Sequence, residues 1–150
     1  MAKMAIEASV RNYLNLLKGQ IAVSHQLSMA VSRFLLKREH FIPTPAQGKD
    51  FGLELNCACK ETWRYLPKKQ IPPHLYDVFA VRLGTVCSLV VHSTVVVDDD
   101  PLSVLNIDPV SREIEVVPFQ WEYGNWLAGR AYLIPTATAK VLALKLEYGI

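Results

Sequence analysis

The sequence predicts an α+β fold, in which an amino-terminal amphipathic helix or helical hairpin precedes a mostly antiparallel β-sheet. Residues 3–37 contain no proline and repeat apolar side chains at helical spacing, whereas later segments alternate apolar and polar residues between turns. A length of 150 residues is typical of one domain. We therefore expect a single domain over 1–150, with a helical region at 1–40 and a mainly β region at 50–150.

The composition indicates a globular protein of the cytoplasm. Apolar residues make up 51% of the chain and charged residues 20%, unlike the charge-rich composition of disordered proteins. The three cysteines are odd in number, which favours reduced thiols in a cytoplasmic protein over a disulfide framework. Glu7 and Arg11 interrupt the apolar start, which argues against a signal peptide. We expect no membrane helix, because no apolar run reaches about 18 to 20 residues.

The helical region carries one apolar stripe that is divided by a glycine. Because the helical spacing nearly continues through Gly19 as far as Leu35, the pattern favours one helix of about 35 residues, about 50 Å long. The alternative is a hairpin of two helices that turns at Lys18-Gly19-Gln20, since glycine suits the residue just past a helix end. The part of the stripe that is expected to supply the apolar contact consists of Val10, Tyr13, Leu14, Leu17 and Ile21.

Period-two patterns predict the strands of the middle of the chain. Pro43 and Pro45 end the helical region, and the alternation over 51–59 then predicts a half-buried strand with Cys57 and Cys59 on one face. Valine and threonine density predicts strands over 79–97, with a break near Gly84 or at His92-Ser93. The segment Asp98-Asp99-Asp100-Pro101 then predicts an acidic turn.

The clearest local signal is a β-hairpin. Two alternating segments, 103–107 and 113–117, flank the turn-rich residues 108–112. Further strands are predicted over 130–134 and 141–146, and a terminal helix after Thr136 is the alternative to the last of these strands.

The apolar stripe predicts a non-enzymatic interaction or assembly module. A long rod would project beyond a body of this size and would need a partner to cover its apolar face. We therefore expect the protein to form a homo-oligomer or to dock into a larger assembly through Val10, Tyr13, Leu14, Leu17 and Ile21. The sequence predicts no cofactor and no catalytic residues, because Cys57-x-Cys59 lacks two further zinc ligands and Ser24-His25 lies in no nucleophile elbow.

The first alternative is binding of single-stranded nucleic acid, RNA in particular. Residues 1–70 hold eleven Lys or Arg against five Asp or Glu, and residues 71–150 hold five against nine. Aromatic side chains interleaved with cations can stack on bases while they neutralise phosphates. The candidate residues are Arg33, Lys37, Arg38, Lys60, Trp63, Arg64, Tyr65, Lys68 and Lys69.

The second alternative is a metal-dependent nuclease or phosphohydrolase. Carboxylates from separate elements can hold Mg²⁺ or Mn²⁺, and acidic residues follow one predicted strand and open another. The same carboxylates are also a common way to end a valine-rich strand in solvent. The candidate ligands are Asp98, Asp99, Asp100, Glu113 and Glu115.

Overall fold

The described residues of the computed structural model form four helices and a five-stranded antiparallel sheet, which confirms the predicted α+β fold class. The structure describes residues 6–60, 73–83, 90–99, 102–108, 110–119 and 129–149. The helices are α1 (Ala8–Leu17), α2 (Ser24–Lys37), α3 (Pro45–Ala58) and α4 (Thr136–Tyr148). The strands are β1 (Val78–Leu83), β2 (Val90–Asp99), β3 (Leu102–Ile107), β4 (Ile114–Pro118) and β5 (Gly129–Ile134), in the sheet order β4-β3-β2-β1-β5.

The helical region forms a hairpin, so the prediction of one long helix is wrong. Gly19 adopts a φ of 78°, in the left-handed region that glycine reaches without steric cost, and the Gln20 amide donates to the Leu17 carbonyl at 2.9 Å. The side chain of Gln26 then accepts hydrogen bonds from the amides of Ala22 and Val23, just before α2 begins. α1 ends at Leu17 and α2 begins at Ser24, so a short turn connects the two helices.

The segment 51–59 is helical, which overturns the predicted strand. Helix α3 begins with a reciprocal cap, in which Thr44 Oγ1 accepts from the Gln47 amide at 3.1 Å and the Gln47 side chain accepts from the Thr44 amide at 2.9 Å. Pro45 occupies the first helical turn, where its missing amide costs nothing. Cys57 is exposed and Cys59 is buried, so the two thiols do not share one face.

The carboxyl-terminal segment is also helical, so the strand predicted over 141–146 is wrong and its stated alternative is correct. Asp77 lies directly before β1 and caps the start of α4 from across the fold. Its Oδ1 accepts from the Thr136 amide at 2.9 Å and from the Thr136 hydroxyl at 2.8 Å. These bonds satisfy a helix-terminal donor that would otherwise lack a partner.

The remaining strands confirm the sequence pattern. β3 and β4 form the predicted hairpin, and β5 begins one residue before the predicted segment 130–134. β1 and β2 occupy most of the described part of the predicted region 79–97, with β1 beginning at Val78 and β2 continuing to Asp99. β2 runs unbroken through His92-Ser93, so a break at that dipeptide is wrong, while Gly84 lies outside the described residues. Asp98 and Asp99 still belong to β2, and the rest of the predicted acidic turn lies outside the described residues.

Both faces of the sheet bury apolar side chains. Successive residues of a strand point to opposite faces, so Leu105 belongs to the core under the helices and Val104 to a cluster on the other face. Helices α2 and α3 lie over β2 on the first face, which we call the helix face. Two glycines let α3 approach α2 closely. A Cβ at Gly48 would lie only 2.6 Å from the Gln26 side chain, and one at Gly52 only 2.5 Å from the His25 ring.

The apolar stripe of α1 is covered by the chain itself, which corrects the expectation that it lies open to a partner. Val10, Tyr13 and Leu17 are fully buried, and Leu14 and Ile21 are exposed by only 8% and 4%. All five belong to the core under the helices. The hairpin at Gly19 explains the difference, because it folds α1 back onto the body instead of extending it as a rod.

Candidate interaction surface

The candidate surface begins with the edge strand β4, which pairs with β3 alone among the described strands. The Asp108 amide donates to the Glu113 carbonyl at 3.0 Å, and the Phe119 amide donates to the Leu102 carbonyl at 2.8 Å. Successive residues of an antiparallel strand alternate between two states: the backbone N–H and C=O either bond to the neighbouring strand or point away from it. Since Glu113 and Phe119 form their bonds on the side of β3, the backbone groups of Ile114 and Val116 point away from β3, toward the free edge.

The side chains of Ile114 and Val116 lie on the helix face, beside α1. Their register partners are Ile107 and Leu105, which both belong to the helix-face core. Leu105 is buried, whereas Val116 is 55% exposed. A hollow of about 210 Å³ separates α1 from the edge strand, and its lining comprises Ile6, Arg11, Leu14, Asn15, Lys18, Leu105, Ile114, Glu115 and Val116.

A second hollow of about 300 Å³ continues the first one past the end of α1. It shares Lys18 and Ile114 with the first hollow. Its lining comprises Lys18, Gly19, Ser111, Arg112, Glu113 and Ile114. We call the two hollows together the α1/β4 groove, which has an apolar floor and charged walls.

The β3–β4 turn holds Arg112 at this groove. The Asp108 carboxylate accepts from the amides of Ser111 and Val110 at 2.9 and 2.8 Å, and these bonds lower the pKa of Asp108. Arg112 itself has a φ of 63°, and its guanidinium donates to the Ala22 carbonyl at 3.2 Å. The turn therefore fixes a cation between the helical hairpin and the edge strand.

The charges of the groove are unevenly placed. Arg11 and Lys18 stand on the α1 side and Arg112 at the turn, while Glu113 and Glu115 belong to the strand side. Glu115 pairs with Asn106, whose position alternates with the helix-face residues Leu105 and Ile107, so Glu115 lies on the opposite face of the sheet by register. The α1 wall of the groove is therefore cationic, and Glu113 is one carboxylate in the lining of the second hollow.

A buried polar cluster joins α2 to β2. His25 Nδ1 lies 2.8 Å from Ser93 Oγ, His25 Nε2 lies 3.3 Å from the Val90 carbonyl, and Ser28 Oγ lies 2.8 Å from Ser93 Oγ. Because a carbonyl can only accept, Nε2 carries the proton and Nδ1 accepts from the Ser93 hydroxyl. This is the geometry of a general base and a hydroxyl, but Ser93 is 2% exposed and Ser28 is fully buried. The cluster thus ties the helix to the sheet.

A second imidazole, His92, is hydrogen-bonded at 3.0 Å to Asn106 on the neighbouring strand. Burial lowers the pKa of His92, and the bond to Asn106 partly opposes this effect. Burial is also the main cause of the lowered pKa of His25. Burial therefore disfavours the charged form of both rings in the folded chain.

We expect the free energy of unfolding to fall as the pH decreases from 7.5 toward 5. The unfolded histidines bind protons near their ordinary pKa of about 6.5, whereas His25 and His92 resist protonation until the pH falls through their lowered values. Urea unfolding across this pH range measures the slope. The double variant His25→Gln/His92→Gln should flatten the slope, and the variant Asn12→Ala, which changes an exposed residue that does not titrate, should leave it unchanged. An equal slope in all three proteins would contradict this assignment.

The described residues of the nucleic-acid candidate are mostly engaged in contacts within the chain. Arg33 is buried and makes two hydrogen bonds of 2.7 and 2.6 Å to Glu147. Lys37 donates to the Tyr148 hydroxyl, and Arg38 pairs with Glu7 at 2.9 Å. Lys60 is exposed. Trp63, Arg64, Tyr65, Lys68 and Lys69 lie outside the described residues.

The carboxylates of the metal candidate are divided between the two ends of the β3–β4 hairpin. Asp99 pairs with Leu102 at one end of β3, whereas Glu113 precedes Ile114, which pairs with Ile107 at the other end. Five residues of strand separate these positions by about 17 Å. Asp98 is next to Asp99, and Glu115 is two residues after Glu113, so each belongs to one end of the hairpin. Asp100 lies outside the described residues. In the part of the chain that the structure describes, no three such side chains could share a metal ion.

Sequence reasoning missed the residues that build the α1/β4 groove. Arg11 and Lys18 are seven residues apart and therefore lie on one side of a helix, but the predicted interface used the apolar stripe instead. The predicted hairpin contained Ile114 and Val116, and Pro118 was a further signal, because proline marks edge strands.

Comparison with protein families, with curated protein sequences and with solved structures finds no match for this chain. No helix among the described residues is long and apolar enough to cross a membrane. The class that the fold defines is therefore an α+β protein with helices packed on one face of an antiparallel sheet.

Proposed function

We propose that this protein is a non-enzymatic interaction module, which binds a protein partner along the α1/β4 groove. One observation carries the proposal: the free edge of β4 presents Val116 with 55% of its surface exposed, at a helix-face position where the neighbouring Leu105 is buried. An apolar side chain beside a row of unpaired backbone groups is a ready template for another chain.

The amino-terminal helix keeps a role in this proposal, but a different side of it is used. The buried stripe anchors α1 to the core, and its cationic flank at Arg11 and Lys18 forms one wall of the groove. A second copy and a different protein are both partners of the proposed class. A cytoplasmic location remains part of the proposal, supported by the odd number of cysteines.

Neither alternative function is favoured by a specific observation. The described cations of the nucleic-acid candidate, apart from Lys60, are committed to Glu147, Tyr148 and Glu7. The strand register separates the carboxylates of the metal candidate. The hydroxyl of the buried polar cluster is enclosed, which gives a substrate no described path to Ser93.

The test compares the native mass of complexes that co-purify with the wild-type chain and with Val116→Lys. A lysine on an edge strand discourages pairing without disturbing the ladder to β3. Val141→Lys is the matched control, because Val141 is 64% exposed on α4 and lies outside the groove. We expect the wild-type chain to co-purify in a protein complex that nuclease treatment leaves intact. Val116→Lys should dissociate this complex, and Val141→Lys should leave it intact. A lone chain, or a complex that Val116→Lys leaves intact, would contradict the proposal.

A further inference from the structure

We propose that the α1/β4 groove accepts an extended acidic segment of a different protein, which adds to the free edge of β4 as a sixth strand. This inference rests on the proposed function and names the chemistry of the partner. It follows from the backbone groups at the edge, from the charges of the groove and from the position of Pro118.

The backbone at the free edge fits a strand rather than a helix. Ile114 and Val116 each direct one N–H and one C=O outward, and Pro118 directs a carbonyl outward but has no N–H. An added strand would satisfy these groups and would place alternate side chains over the floor of the groove. The exposed Val116 side chain would gain an apolar neighbour on the same face.

The charges select an acidic segment. On the helix face the added strand would run beside Arg11 and Lys18, with Arg112 at the turn. Among the described residues, neither Arg11 nor Lys18 forms an ion pair with an acidic side chain, in contrast to Arg38, which pairs with Glu7. Carboxylates on the helix-face side of the added strand would therefore form ion pairs with Arg11 and Lys18, next to the apolar contact at Val116.

A second copy of β4 fits this edge less well than an acidic segment. Antiparallel pairing of two copies about Val116 would place Ile114 of each opposite Pro118 of the other, and Pro118 cannot donate the bond that this position needs. The same two-fold arrangement would bring two cationic α1 walls to one side of the extended sheet. Like charges placed together oppose association.

The experiment titrates the isotopically labelled protein with the acetylated octapeptide Val-Thr-Glu-Thr-Val-Thr-Glu-Thr, which as a strand places valine and glutamate on one face and threonine on the other. The comparison probe is the same peptide with lysine in place of glutamate. We expect the glutamate peptide to bind with a Kd below about 1 mM, to shift the amide signals of Ile114 and Val116, and to bind more weakly at high salt. The lysine peptide should cause no such shifts.

Two variants make the charge argument testable. The double variant Arg11→Glu/Lys18→Glu should weaken binding of the glutamate peptide at least tenfold. The control Lys49→Glu/Lys140→Glu makes the same charge change outside the groove and should bind as the wild type does. Circular dichroism of both variants checks that each is folded, since Arg11 and Lys18 are exposed.

Two outcomes would overturn the inference. The first is equal binding of the two peptides, or binding that the groove variants leave unchanged. The second is a homodimer that Val116→Lys dissociates, because β4 would then pair with a second copy; the proposed function would survive this result. If the native complexes depend on Val116 but the glutamate peptide fails to bind, only the acidic-segment inference fails.

Discussion

Replacing Tyr13 by alanine should lower the free energy of unfolding by about 3 to 5 kcal/mol, because it empties a large buried site. The ring is fully buried and is stacked on Phe34 with centroids 4.4 Å apart, and its hydroxyl donates to the Phe41 carbonyl. Burial raises the pKa of Tyr13 to about 12. Urea unfolding of the variant measures the loss.

Two controls separate burial from other causes. Tyr13→Phe keeps the stacked ring but removes the donor to Phe41, and should cost about 1 kcal/mol. Asn12→Ala changes an exposed residue of the same helix and should alter stability by less than about 0.5 kcal/mol. If Tyr13→Ala were as mild as Asn12→Ala, the apolar stripe of α1 would not belong to the core.

Replacing Glu147 by alanine should cost about 3 kcal/mol, because it leaves a buried guanidinium without its carboxylate. The Arg33 side chain is 4% exposed and that of Glu147 is 17% exposed, and two hydrogen bonds join them. Arg33 also lies over the Phe41 ring at 5.1 Å. The pair connects α2 to α4 across 114 residues of sequence.

The matched control is the more exposed pair of Lys145 and Glu54. Its side chains are 44% and 24% exposed, so Glu54→Ala should cost less than about 1 kcal/mol. The hydrogen bonds to Arg33 lower the pKa of Glu147, so its contribution is present at neutral pH and is lost as the pH falls through that lowered value. Equal losses in Glu147→Ala and Glu54→Ala would contradict the structural role of the buried pair.

Local chemistry explains which parts of the fold were predictable. The β3–β4 hairpin was predicted because Asp108 and the residues after it form a turn whose hydrogen bonds are made within the segment. The start of α3 is equally local, because Thr44 and Gln47 cap it. The strand prediction rested on the period-two pattern over 51–59 alone and did not include this helix-start signal.

The position of α1 depended on one residue. A glycine within a helical pattern is compatible with both a continuous helix and a turn, and the apolar spacing continued across Gly19. The turn is favoured because it buries the stripe in the chain's own core, which a rod cannot do. Burial of several such side chains, each worth about 1.5 to 3 kcal/mol, outweighs the residues lost from the helix.

The α1/β4 groove could not be predicted from the sequence, because it depends on contacts between distant segments. Lys18 and Ile114 share its lining although 96 positions separate them in the chain. The strand order decides that β4 is an edge, and only the folded position of α1 decides which side chains stand beside that edge. Charge counts along the chain carry no such spatial information.

Hydrogen–deuterium exchange of the isolated protein, followed from nanomolar to micromolar concentration, determines whether the chain alone buries the apolar stripe of α1. We expect the amides of α1 to be equally protected at every concentration, because the chain covers its own stripe, and the outward amides of Ile114 and Val116 to exchange rapidly throughout. Protection of α1 that develops only as the concentration rises would show instead that another molecule covers the stripe.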